Sequence, residues 1–347
     1  MSKMIDIAKT RIGVVGGGSW GTALAKLLAD KGFTLDLWVF EPEVKEQIEK
    51  ERENKFFLPN IKLPKNIIPS NDLEAVVKDK DLVLMVVPSH CMRDMADKMK
   101  NFISPETIIV TASKGIENET HLTMTQILAE KIDSFPKENL AVLSGPSFAK
   151  EVAKQVPTVV AAASISRTTA EYVQKIFSCP TFRVYVNDDP IGTQIGGAMK
   201  NVLAIAAGIC DGMEMGLNPR AALITRGLTE MNRLGIKLGA DPLTLAGLAG
   251  VGDLLLTCTG ALSRNYTVGR QIGEGKKLDE IISEMRMVAE GVKTTKSVYN
   301  LSKKLGVDLP ICNEVYGVLF NGIPVKETVE HLMNRTLKHE LDGVEDS

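Results

Sequence analysis

Seven short β-branched runs alternate with helical patterns between residue 11 and about residue 187, and then the strand signal stops. The runs are RIGVVG, LDLWVF, DLVLMVV, TIIVTA, NLAVLS, PTVVAAAS and FRVYVN. They are almost continuously apolar, as strands must be when helices cover both faces of a parallel sheet. GTALAKLLADKG and AEYVQKIFS read as intervening helices, and EPEVKEQIEKEREN as a charged, exposed one. FFLPNIKLPKNIIPSND reads as a connector punctuated by prolines. Beyond residue 190 long helical patterns take over, at 192–210, 219–238, 242–248, 264–274, 278–288, 292–305 and 324–338. A length of 347 residues accommodates two cores. The expected architecture is a doubly wound α/β sheet over residues 1–190 followed by an all-α domain over 191–347, ending in a polar, frayed LDGVEDS.

Composition removes several classes of function. The formal net charge is −2, so no broad electrostatic attraction to nucleic acid or anionic membrane is expected. Cys91, Cys179, Cys210, Cys258 and Cys312 show neither CxxC nor Cys/His metal spacing, and read as reduced thiols without a metal. MSKMIDIAKTR has no apolar stretch or cleavage site, and the most apolar helical run is broken by polar residues. A cytoplasmic location without a membrane span is the expectation.

VVGGGSWGTALA places Gly16, Gly18 and Gly21 in a GxGxxG pattern directly between the first strand and a helix. In that context the glycines allow a tight turn, a close approach of backbone amides to a pyrophosphate, and close helix–strand packing. A Rossmann-type dinucleotide-binding fold follows, with the free N–H groups of the helix start facing the phosphates. Glu41 stands at the end of the second strand, where an acid accepts from the adenosine ribose and repels the extra phosphate of NADP. It would equally serve as a solvent-facing carboxylate.

Ligands of open α/β sheets sit beyond the carboxyl ends of the strands. Those ends read VVGGG, VFE, VVPSH, TASKG and VLSGPSF. They place Lys114 at the crevice mouth, with Gly145 and Ser147 as donors to an anion or as ordinary turn residues. In the helical half, Asp253 follows Gly247, Gly250 and Gly252. Ser263 reads as an N-cap, with Arg264 and Asn265 in the first turn of the next helix. Free amides, a guanidinium and a carboxamide there make a phosphate site. Lys200 is the only charge between Asp189 and Asp211. It shares an i, i+4 stripe with Gly196, Ala204 and Gly208, so another helix or a ligand can approach closely. Either Lys200 snorkels from a helix edge, or it works inside a dry site, its pKa lowered by Lys114 and held up by Asp253.

Taken together these segments resemble the bacterial-type NAD(P)-dependent glycerol-3-phosphate dehydrogenases. The resemblance runs from GVVGGGSWGTALA to about residue 325 through VVPSH, SKGIE, LSGPSFAKEV, GGAMKNVLAIAAGI, GLAGVGDLLLTC, SRNYTVGR and VAEGV. It implies reversible reduction of dihydroxyacetone phosphate to sn-glycerol 3-phosphate with NAD(H) or NADP(H), feeding glycerophospholipid synthesis. Lys200 is then the proton donor and acceptor. Lys114, Gly145, Ser147, Asp253, Ser263, Arg264 and Asn265 line the substrate, and Lys114 and Arg264 also face the cofactor. Ser19, Trp20, Ala149, Val288 and Glu290 contact the dinucleotide. Phe40 stands where the family often has Arg or His, which with Glu41 points to NADH used at least as well as NADPH. Competing readings are a ketopantoate- or hydroxyacid-type reductase and an NAD(H)-binding redox sensor. The apolar faces of the helical half leave room for a homodimer.

Overall fold

The computed structural model describes residues 6, 9–285, 289–337 and 339–340. It divides into two compact units, residues 1–113 with 124–190, and residues 114–123 with 191–347. The first unit contains β1 (Ile12–Val15), α1 (Ser19–Asp30), β2 (Leu35–Trp38), α2 (Pro42–Glu51), β3 (Glu53–Asn54), β4 (Leu58–Lys62), β5 (Ile67–Ser70), α3 (Leu73–Val77) and β6 (Leu82–Met85). It continues with α4 (Met92–Met99), β7 (Ile108–Thr111), α5 (Met124–Lys131), β8 (Leu140–Ser144), α6 (Ala149–Ala153), β9 (Thr158–Ala163), α7 (Arg167–Phe177) and β10 (Phe182–Asn187).

Eight strands form one sheet in the order β10-β9-β8-β7-β6-β1-β2-β5. From β1 the chain builds outward through β2 on one side and β6 on the other, so the order reverses between β1 and β6. That switch point is where an open sheet leaves a crevice. β1 and β6 are buried at every position, in keeping with their unbroken apolar sequences. Ile12 lies opposite Leu35 on one side and Leu82 on the other.

Two features depart from the expected sheet. The proline-rich connector supplies β5, the edge strand beside β2, and β4, which forms a small antiparallel hairpin with β3 at the end of the stretch expected to be a charged helix. Pro69 is tolerated in β5 because an edge strand has one side without a ladder. In addition, β9 runs antiparallel to β8, with Leu143 opposite Ala162. The intervening α6 has five residues and spans only about 7.5 Å at 1.5 Å per residue. β9 starts near the end where β8 stopped, with Ser144 opposite Ala161, and runs back beside it.

The second unit holds α8 (Pro190–Gly212), α9 (Leu217–Lys237), α10 (Pro242–Leu245), a π-turn (Leu248–Gly252), α11 (Asp253–Thr259) and α12 (Arg264–Gly273). α13 (Leu278–Glu284), α14 (Glu290–Leu305), α15 (Pro310–Phe320) and α16 (Val325–Met333) follow. An 18-residue window, Pro242–Thr259, has the length and mean hydropathy, 1.4, of a membrane span. It folds as three short pieces around the π-turn and contains the buried Asp253.

The small-residue stripe of α8 meets backbone. A Cβ on Gly208 would lie 2.1 Å from the Tyr266 carbonyl oxygen, and one on Gly269 would lie 2.0 Å from that of Ile205. Gly212 and Gly273 repeat the pattern one turn further on. α8 and α12 therefore touch through paired glycines. Gly196, one turn before Lys200, similarly faces the Ala249 carbonyl of the π-turn. Residues 114–123 belong to this unit rather than to the sheet domain expected over 1–190. Ile116 joins the helical core, and Ser297 of α14 bonds the Ile116 carbonyl (2.7 Å) and Asn118 Oδ1 (2.8 Å).

α15 has no counterpart among the sequence-level helical patterns. Its start is held from a distance: the buried Glu230 of α9 accepts from the backbone N–H of Ile311 (2.6 Å) and Cys312 (3.1 Å). Burial pushes the Glu230 carboxyl up to about 7, against the pull of those amides.

Two stability measurements test this packing. Gly208→Ala or Gly269→Ala should each destabilise the protein by about 1–3 kcal/mol, the usual penalty for overpacking. An unchanged melting temperature would mean that α8 and α12 are not in contact there. For Glu230 the folded pKa lies above the unfolded value of 4.5, so the native state binds more protons in between. Its contribution therefore falls as pH rises from about 4.5 to about 7. The melting curve of Glu230→Gln should lose that part of the pH dependence, and identical profiles would refute the assignment.

Candidate active site

In the second unit one carboxylate lies between two ammonium groups. Lys200 Nζ donates to Asp253 Oδ1 at 2.5 Å, and Lys114 Nζ donates to Asp253 Oδ2 at 2.5 Å. Lys200 also donates to Thr257 Oγ1 at 2.9 Å. Asp253 opens α11, where a negative charge suits the helix dipole. Thr257, one turn later, donates to the Asp253 carbonyl at 2.6 Å. Lys200 is 7% exposed and Asp253 1%, so the lysine does not snorkel out. Desolvation lowers the Lys200 pKa to about 8; Asp253 opposes this and Lys114 reinforces it. Cys258 lies close enough to feel both charges, but burial pushes its thiol up to about 12, which keeps it protonated and inert.

A second cluster surrounds the start of α12. Ser263 caps the helix, its hydroxyl accepting from Tyr266 N–H at 3.2 Å. Arg264, the first residue of the helix, is exposed. Asn265 is buried and committed to the protein. Its Nδ2 donates to Asn201 Oδ1 (2.9 Å), and its Oδ1 accepts from Gly291 N–H (2.9 Å) at the start of α14. Asn265 thus ties α12 to α8 and α14. Glu290 is the first residue of α14, and Val288 lies outside the described residues.

The glycine fingerprint lies in the first unit, at the sheet's switch point. Gly16 has φ +123°, and a Cβ there would lie 2.4 Å from the Val86 carbonyl oxygen of the segment after β6. Gly21 lets α1 sit against the loop, since its Cβ would lie 1.9 Å from the Gly16 carbonyl oxygen. Around Gly18, which caps α1 without a side chain, nothing lies within 4 Å of a built Cβ. Ser19 Oγ donates to the Phe57 carbonyl at 2.5 Å. Trp20 is half-buried, and its Nε1 has no partner among the described residues. This cradle fits a dinucleotide pyrophosphate: the glycine loop and the open space around Gly18 lie at one helix start. Glu41 caps α2 through its backbone only, beside Phe40, which is 75% exposed. Gly145 has φ +150°, Ser147 Oγ donates to the Gly145 carbonyl (3.0 Å), and Ala149 begins α6.

A family profile described as NAD-dependent glycerol-3-phosphate dehydrogenase N-terminus matches residues 11–170, and its C-terminal counterpart matches residues 189–330. The chain belongs to the NAD-dependent glycerol-3-phosphate dehydrogenase family. A glycerol-3-phosphate dehydrogenase of Syntrophobacter fumaroxidans is 54% identical over 331 residues, 95% of this chain and 97% of the relative. One from Geobacter sp. strain M21 is 53% identical over 330 residues, 95% of this chain and 98% of the relative. The crystal structure of glycerol-3-phosphate dehydrogenase from Coxiella burnetii shares 39% identity and a TM-score of 0.90, covering 94% of this chain and 99% of that one. The glycerol-3-phosphate dehydrogenase assignment replaces the competing reductase and sensor readings. The Rossmann-type sheet and helical second half are those of the family.

Thr257 and Asn201 were not singled out from sequence. The signal for Thr257 was its i+4 spacing from Asp253, which puts its hydroxyl beside the carboxylate. Asn201 directly follows Lys200, and its role appears only with the partner Asn265.

Because Asp253 holds the Lys200 pKa up, Asp253→Asn should move the Lys200 midpoint below about 8. Side-chain NMR of the lysine ammonium groups measures this directly. A midpoint that stays put or rises would show that Asp253 is not the controlling charge.

Proposed function

We propose that this glycerol-3-phosphate dehydrogenase uses Lys200 as the proton donor in reducing dihydroxyacetone phosphate to sn-glycerol 3-phosphate, and as the acceptor in reverse. The observation that carries the reading is a buried lysine with a pKa near 8, held between Asp253 and Thr257. The nicotinamide dinucleotide, when bound, supplies or takes up the hydride. As the carbonyl carbon gains hydride, negative charge grows on its oxygen, and Lys200 Nζ gives that oxygen a proton. The neutral amine left behind is tolerated because burial already favours it. Asp253 and Thr257 fix the direction of the Nζ–H bonds, and Lys114, on the other carboxylate oxygen, sets the local charge.

Arg264 and the first amides of α12 are the proposed phosphate ligands, positioned by the Ser263 cap and the Asn265 ties. Gly145 and Ser147 complete the proposed substrate contacts. Gly16, Gly18, Gly21, Ser19, Trp20, Ala149 and Glu290 are the proposed dinucleotide contacts. At the end of β2 the Glu41 carboxylate has no partner among the described residues and Phe40 supplies no cation. A 2′-phosphate would meet repulsion there, so NADH is the favoured cofactor. Supply of glycerophospholipid backbones and work in the cytoplasm complete the reading, the latter supported by five free cysteines. A homodimer is supported by exposed Leu217, Met333 and Leu337 on the second unit.

Loss of reduced-nicotinamide absorbance with dihydroxyacetone phosphate is the test, with NADH and NADPH in parallel. Lys200→Ala should lower kcat by about 10²–10⁴-fold while dinucleotide binding persists. Reduction should weaken as pH rises through about 8, where Lys200 loses its proton, and oxidation should strengthen over the same range. The value of kcat/KM with NADH should equal or exceed that with NADPH. Full activity in Lys200→Ala, or no turnover from protein that binds dinucleotide, would overturn the mechanism.

A further inference from the structure

We infer that Asn54, on the β3–β4 hairpin, is a positioning residue for the dinucleotide, orienting the Gly17–Gly18 peptide so that the Gly18 N–H faces the pyrophosphate. The inference rests on the dinucleotide reading of the glycine loop. Asn54 is fully buried, and its carboxamide is committed at each end. Nδ2 donates to the Gly17 carbonyl oxygen at 2.7 Å and to Thr22 Oγ1 at 2.9 Å. Oδ1 accepts from Phe57 N–H at 3.1 Å. The Thr22 hydroxyl, also fully buried, donates to the same Gly17 carbonyl at 3.1 Å. Two donors therefore converge on one carbonyl of the fingerprint. A second tie, Ser19 Oγ to the Phe57 carbonyl, fastens the same hairpin to the start of α1.

Peptide geometry supplies the consequence. In a planar trans peptide the C=O and the following N–H point in opposite directions. Holding the Gly17 carbonyl toward Asn54 turns the Gly18 N–H away from it. That N–H has no partner among the described residues, and the space around Gly18 is open. Gly18 also caps α1, at the positive end of the helix dipole.

Glycine alone cannot provide this orientation. Gly16, Gly17 and Gly18 are consecutive and conformationally permissive, so the intervening peptide could rotate. A rotated peptide would present a carbonyl oxygen to an anion. Burying a carboxamide is costly unless its bonds are made, and here both Nδ2 bonds go to atoms of the fingerprint. Asn54 thus adds the direction that the glycine pattern leaves open.

The test compares binding of ADP, adenosine and NADH to the full chain by calorimetry or ligand-observed NMR. Asn54→Ala should bind ADP and NADH about 10- to 100-fold more weakly, the loss expected for a hydrogen bond to a charged group. Adenosine has no pyrophosphate and should bind as to wild type, and KM for dihydroxyacetone phosphate at saturating NADH should not move. Thr22→Val removes one of the two donors at the Gly17 carbonyl while keeping its shape. It should show a smaller loss of the same selectivity, and it carries the test should Asn54→Ala fail to fold; Thr22→Ser should restore binding. Equal weakening of ADP and adenosine would make the role merely structural and overturn the inference, as would unchanged ADP binding. Wild-type protein binding neither ADP nor NADH would overturn the dinucleotide reading itself.

Discussion

The Asp253 carboxylate is the point on which the catalytic half depends. Two ammonium groups and one carboxylate inside a helical core are an expensive arrangement, since each ion loses its water. The second unit makes it tolerable by geometry: each lysine takes its own carboxylate oxygen, and Thr257 supplies a further acceptor to Lys200. The arrangement also sets the acidity of Lys200. Burial is the main reason that Lys200 holds its proton loosely; Asp253 opposes the shift and Lys114 offsets part of that opposition. A lysine that titrates at about 8 is thus a consequence of burial beside one carboxylate and a second ammonium.

The second constraint is steric. α8 can hold Lys200 at depth because backbone packs directly against it: its Gly208 and Gly212 meet the backbone of α12, and its Gly196 meets that of the π-turn. A helix coated in larger side chains would stand further from its neighbours. The buried polar groups Asn201, Asn265 and Thr257 would then lose the short reach on which their hydrogen bonds depend. The glycines that read as a possible ligand face are the packing that positions Lys200.

Much of this was legible in the sequence, and the failures are informative. Lys200 showed itself because a lone charge in an apolar helix demands an explanation, and the fingerprint showed itself because its spacing has a mechanism. The direction of β9 was hidden because periodicity carries no strand polarity, and the antiparallel pairing with β8 shows only in the ladder. α15 was hidden because PICNEVYGVLF is apolar on nearly all sides and its cap, Glu230, lies far away in sequence. Asn54 was hidden at the end of EPEVKEQIEKEREN, a charged stretch that read as an exposed helix. Asn265 was noticed for its position in a first turn, but its bonds to Asn201 and Gly291 exist only in three dimensions.

The excursion of residues 114–123 means that the boundary between the units is not a single cut in the chain. The polypeptide leaves the sheet unit after Ser113, returns at Met124, and leaves again after Pro190. The second unit is therefore discontinuous, and a fragment starting at residue 191 would lack Lys114, Ile116 and Asn118. During synthesis the excursion emerges early and cannot meet Ser297 until 181 further residues have followed Ile116. Assembly of the Lys114–Asp253–Lys200 cluster is thus a late, high-contact-order event, completed only after the helical unit has been synthesised.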